Sequence, residues 1–165
     1  MTSFTLDGWE NFFIACSGAA AALAGLLFVV LSINLARILK GPGFASRAGE
    51  SFIPLAVILI ISLLALVPGH SIRAFGAELI VIGAGVWAAA TSIQFRAVRA
   101  HHYMRVWHLL FRLLVNQSAN LGILVAGLSL ILGFPGGLYW LVPAIVMAFT
   151  GAMANAWILL VEILR

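Results

Sequence analysis

The residues of this 165-residue chain that could do chemistry gather in one stretch, Arg96 to Arg112, RAVRAHHYMRVWHLLFR. It holds Arg96, Arg99, Arg105 and Arg112 together with three of the four histidines. Histidines invite a metal or a haem. On a helix, however, His101 and His108 stand about 10.5 Å apart along the axis, too far to share one ion. No carboxylate or cysteine lies near them in the sequence. What remains is a cationic stripe: His101, Arg105, His108, Arg112 and Asn116 recur at helical spacing and share one face. At a membrane boundary such a face suits anionic lipid headgroups or another phosphate-bearing ligand, so His101, Arg105, His108 and Arg112 are the candidate contacts.

A second set of candidates lies inside apolar runs, where each polar group is costly unless it finds a partner. These are Glu78, Ser92, Asn116, Asn120, Asn155 and Glu162. They could line a pathway or serve as polar packing. If the last two apolar runs form an antiparallel hairpin about Gly137, residues whose numbers sum to about 274 lie level. That register pairs Arg112 with Glu162 and Asn120 with Asn155. Glu78 falls one turn below the opposite boundary, level with Ser62. It suits an outer cation site, a partner of Arg73, or a carboxylate at the interface.

Catalytic patterns are missing. One Asp and four Glu are spread so that no two acids can work together in one apolar run. There is no G-x-S-x-G, no H-E-x-x-H and no phosphate-cradling glycine loop. The single cysteine, Cys16, excludes an internal disulfide. The expectation is a non-enzymatic chain with no cofactor and no metal.

The elements that position these residues follow from composition. Hydrophobic residues make up 64% and charged residues 8%. A soluble domain carries about a quarter charged residues, so this chain could not clothe a globular surface. The net charge of +4 would suggest nucleic acid in a soluble protein. In a membrane protein cations concentrate in cytoplasmic loops instead, and no nucleic-acid partner is expected. Apolar runs of roughly 20 residues cross the hydrocarbon core.

The predicted architecture is all-α, one domain over residues 1–165, a bundle of five transmembrane helices. The spans are set at about 12–35, 52–67, 75–95, 113–132 and 138–164. Gly18, Ala22 and Gly25 put a small-residue face on the first, which suits close helix packing and predicts burial. The second is uniformly aliphatic, with Pro54 in its first turn and Val57 facing lipid. On the third, Glu78, Ile82, Gly85, Ala89, Ser92 and Arg96 share a face expected to meet protein. Ala144, Ala148, Ala152 and Ala156 recur every fourth residue on the last, which should be the most tightly packed helix.

Charge orients the bundle. With five alternating spans, Arg37, Lys40, Arg47, Arg96, Arg99, Arg105, Arg112 and Arg165 fall on one side and Arg73 alone on the other. Cytoplasmic loops are the cationic ones, so the N-terminus is expected outside and the C-terminus in the cytoplasm of a bacterial plasma membrane.

Trp9-Glu10, the run AAAALAGLLF from Ala19 to Phe28, Ser32-Ile33-Asn34-Leu35 and Leu66-Val67-Pro68-Gly69 carry a resemblance. Across the N-terminal half the chain is similar to a group of small, mostly uncharacterised actinobacterial membrane proteins. Members are sometimes labelled modulators of the ATP-dependent membrane protease, and the resemblance implies a multi-pass accessory protein. The composition and the small-residue faces favour a homo-oligomeric channel or transport protein for ions or small solutes. An accessory subunit of a larger membrane complex, such as a protease, comes second. An enzyme on lipid-linked substrates comes third. Membrane lipids, further copies of the chain and a membrane-protein partner are the expected contacts.

Overall fold

A computed structural model describes residues 5–40, 44–100 and 106–164, with side-chain environments at 5–36, 38, 48–49, 51–92, 117–158 and 160–161. It contains helices and no strand among the described residues. The helices are α1 (Glu10–Ile33), α2 (Leu35–Lys40), α3 (Phe44–Ala65), α4 (Ile72–Ala100), α5 (Val106–Leu132) and α6 (Leu141–Leu164). A short 3-10 segment, Gly137–Trp140, precedes α6.

Among the described residues three helical stretches, Glu10–Ile33, Ile72–Ser92 and Gly137–Ile158, are long and apolar enough to cross a membrane. Ser51–Ala65 and Gln117–Leu132 are shorter apolar stretches beside them. Large apolar side chains on the outside of the bundle include Leu26, Phe28, Val81, Leu121, Leu128, Val146 and Trp157. An apolar exterior of this extent belongs in lipid rather than water. Among the described residues the chain is all-helical, with apolar helices that fit a membrane protein.

Local chemistry sets where the helices break. The first helix stops at Ile33, not at residue 35, because Asn34 turns its side-chain amide back onto the Val30 carbonyl at 2.9 Å. A short polar side chain that bonds nearby backbone competes with helix propagation. The chain then resumes as α2. The third helix begins at Phe44, eight residues before the predicted span, so Pro54 lies in its interior rather than in its first turn. Proline there removes one backbone hydrogen bond and loosens the helix at that level.

The packing order is α1 on α3, α3 on α6, α6 on α5 and α5 on α4, with a lesser contact between α3 and α4. Helix α3 is therefore the hub and not a lipid-facing helix. Ser51, Leu55, Val57, Ile58, Ile61, Ser62 and Ala65 are all buried on it. An aliphatic run alone does not distinguish lipid from core, since both are apolar. The alanine ladder of α6 is buried as expected at Ala144, Ala148 and Ala152, and half-buried at Ala156.

One end of the bundle is tied by aromatic rings. Trp9 stacks edge-on against Tyr139 with centroids 5.0 Å apart, and Phe13 meets Phe75 at 6.1 Å. These contacts bring the start of α1, the start of α4 and the turn before α6 to the same end. Successive long helices thus run up and down.

Candidate functional site

At the aromatic end the α3–α4 turn and the N-terminal segment line a half-open cavity of about 380 Å³. Asp7 and Glu10 line it from one side and Leu66 to His70 from the other. Glu10 curls back to accept a hydrogen bond from the Gly8 N–H at 2.8 Å. His70 points Nε2 at Glu78 Oε2, 3.3 Å away, close enough for an ion pair when the imidazole is charged. The alignment falls short of a hydrogen bond. The His70 ring stands edge-on to Phe75. The partner of Glu78 is thus His70 rather than Arg73, and Ser62, fully buried, makes no hydrogen bond to it. Among the described residues no three of His, Cys, Asp or Glu lie close enough to share a metal ion.

The hairpin of α5 and α6 has a different register from the predicted one. Ser129 Oγ donates to the Phe134 carbonyl at 2.7 Å and accepts from the Gly137 N–H at 2.9 Å. The Ser129 carbonyl accepts from Gly133 N and Phe134 N. Gly133 has φ +72°, the left-handed conformation that ends a helix at low cost. The chain therefore reverses at Gly133, and Pro135 to Trp140 already run back into the bundle. Two turns deeper, a methyl on Gly122 would come within 2.7 Å of the Ala144 Cβ. Residues 129 and 137, like 122 and 144, sum to 266. In that register Asn120 lies level with Val146, and Asn155 lies about 13.5 Å deeper than the level of Asn120, at 1.5 Å per residue. The Asn120–Asn155 pairing is not formed. Arg112 and Glu162 have side chains outside the described residues, and the same register offsets their backbones by about 12 Å.

Asn120 is nonetheless buried, 5% exposed, with no hydrogen-bond partner for Nδ2. Asn155 is half-buried. Ser92 is exposed, and its hydroxyl donates to the Ala89 carbonyl at 2.7 Å. The side chains of Asn116, Arg105, His101, His108 and Arg112 lie outside the described residues.

The α1 face predicted to be buried and much of the α4 face predicted to meet protein are uncovered in the single chain. Gly18, Ala22 and Gly25 on α1 are exposed, and nothing stands within 4 Å of where a Cβ would sit on either glycine. On α4, Gly85, Ala89 and Ser92 are exposed, while Glu78 and Ile82 are half-buried. The face of α4 that packs inward is instead Phe75, Gly76, Leu79 and Gly83. Both faces of α4 are rich in small residues, so composition alone could not choose between them. Sequence reading also missed Ser129, Thr91 and Gln117. The first was detectable as a serine four residues before a helix-ending glycine.

No family model, no curated protein and no solved structure matches this chain.

Proposed function

We propose that the protein is a non-enzymatic homo-oligomer of the bacterial plasma membrane that provides a pathway for ions or small solutes. In this reading all five long helices span the bilayer, with the N-terminus outside and the C-terminus in the cytoplasm. The observation that carries it is the pair of uncovered small-residue faces on α1 and α4. Gly and Ala on an outer face let another helix approach backbone to backbone, and packing of that kind drives association in lipid. A second copy of the chain supplies such a helix from the same repertoire. Five helices enclose too little interior for a wide channel, so the pathway runs between subunits. The cavity lined by Asp7 and Glu10 forms its outer vestibule and attracts cations. The basic stripe around Arg105 and Arg112 contacts anionic headgroups at the cytoplasmic boundary.

An accessory role in a larger membrane complex draws on the same uncovered faces, with a different protein covering them. Cross-linking separates the two. Single cysteines placed by Ala22→Cys and Ala89→Cys in a Cys16→Ala background should cross-link the chain to itself in native membranes. Adducts only with another protein support the accessory role and contradict the homo-oligomer.

A further inference from the structure

The seam between α4 and α5 changes character along its length. In its outer half the backbones nearly touch at Gly76 and Gly127, where a methyl on Gly127 would meet the Gly76 carbonyl at 2.8 Å, and the Leu124 side chain packs onto Gly83, where a methyl would meet it at 3.0 Å. Leu124, Gly127 and Ile131 supply the α5 side of this contact at helical spacing, and the same stripe continues inward as Asn120 and Gln117. With Gly83 against Leu124, the antiparallel pairing sets Trp87 level with Asn120 and Ala90 level with Gln117, beside Thr91.

Polar atoms collect there without partners. Asn120 Nδ2, Gln117 Oε1 and Thr91 Oγ1 are each shielded from solvent and each lack a hydrogen bond. Leaving one such group unpaired costs about 1–3 kcal/mol, so three in one stretch demand an explanation. Elsewhere on these helices hydroxyls are satisfied locally, as Ser92 is on Ala89 and Ser129 is on Phe134.

We propose that the inner half of the α4–α5 seam is a binding site, within each subunit, for a small uncharged molecule that both donates and accepts hydrogen bonds. The Asn120 amide donates to it, the Gln117 carbonyl accepts from it, and the Thr91 hydroxyl can do either. The facing stretches 83–92 and 117–124 contain no charged residue, which disfavours an ion of either sign. Water has this chemistry, and so do small polyols and amides. A buried water makes two to four such bonds to groups that otherwise lack them. The site stands apart from the pathway between subunits and from the oligomeric state.

Nuclear magnetic resonance on protein labelled with ¹⁵N-asparagine in lipid nanodiscs tests it. The Asn120 side-chain amide, identified by its loss in Asn120→Leu, should show cross-peaks to water. In Thr91→Val/Gln117→Leu, with the Asn120 resonance still present, those cross-peaks should disappear. Glycerol that displaces them assigns the site to small solutes, and cross-peaks that survive glycerol assign it to water. An Asn120 amide with no cross-peak to water or to added glycerol overturns the proposal. So do water cross-peaks unchanged in the double variant.

Discussion

Gly122 lies directly against Ala144, so close that a methyl on the glycine would sit 2.7 Å from the alanine Cβ. This approach, with the Ser129–Gly137 hydrogen bond above it, fixes the register of the hairpin that carries Asn120. Larger side chains at either position must push α5 and α6 apart. Gly122→Leu and Ala144→Leu should each destabilise the protein by roughly 1–3 kcal/mol, the usual cost of overpacking. Thermal melting in detergent measures this. Val57→Leu should also lower the melting temperature, because Val57 is buried on the hub helix. Tolerance at all three positions would contradict the packing order.

Ser129→Ala removes both the acceptor for Gly137 N and the donor to Phe134 O. The Gly137 N–H is left buried and unpaired, at a cost of about 1–3 kcal/mol. Ser129→Thr keeps the hydroxyl and should recover most of the loss. Equal melting of the alanine variant and the wild type would show that the turn holds itself without Ser129.

Much of this was legible in the sequence, and the misses share a cause. The helical class and the alanine ladder follow from hydropathy and four-residue spacing, whereas the break at Asn34 that divides the first predicted span into α1 and α2 does not. Facing does not follow, because lipid and protein interior are both apolar. Gly18, Ala22 and Gly25 were expected to be buried and the Gly85–Ser92 stripe to meet protein, yet within the single chain α1 and α4 turn these residues outward. The hairpin register failed for a local reason: the run Gly133-Phe134-Pro135-Gly136-Gly137 offers several places to reverse, and Ser129 selects the first. The partner of Glu78 was missed because His70 reaches it across the turn from outside the helix, where helical periodicity has no say.

The uncovered faces separate folding from assembly. A Cβ added at Gly18, Gly25 or Gly85 would meet nothing within 4 Å in the single chain, so Gly18→Leu, Gly25→Leu and Gly85→Leu start into open space. Their effect on the melting of a detergent-isolated monomer should stay within about 0.5 kcal/mol, as for substitutions away from packed features. The same changes should weaken self-association in lipid, measured by energy transfer between labelled copies. Unchanged energy transfer in all three variants would remove α1 and α4 from the subunit interface.

Orientation is open to labelling in spheroplasts. In a Cys16→Ala background, Asp7→Cys should react with an impermeant reagent from outside, and His102→Cys should react only after lysis. The expectation rests on eight of nine cations falling on one side, and cytoplasmic loops being the cationic ones. Reaction of His102→Cys in intact spheroplasts would reverse the orientation.

Flux through reconstituted vesicles decides whether several copies of the chain together make a solute pathway. Purified protein of known stoichiometry, established by native mass spectrometry, is placed in lipid vesicles. Potassium efflux and glycerol entry are then followed against protein-free vesicles. The protein should be an oligomer, should carry at least one of the two well above the blank, and should lose that flux in Gly25→Leu as the subunits separate. Vesicles that hold a confirmed homo-oligomer and remain tight to both would contradict it.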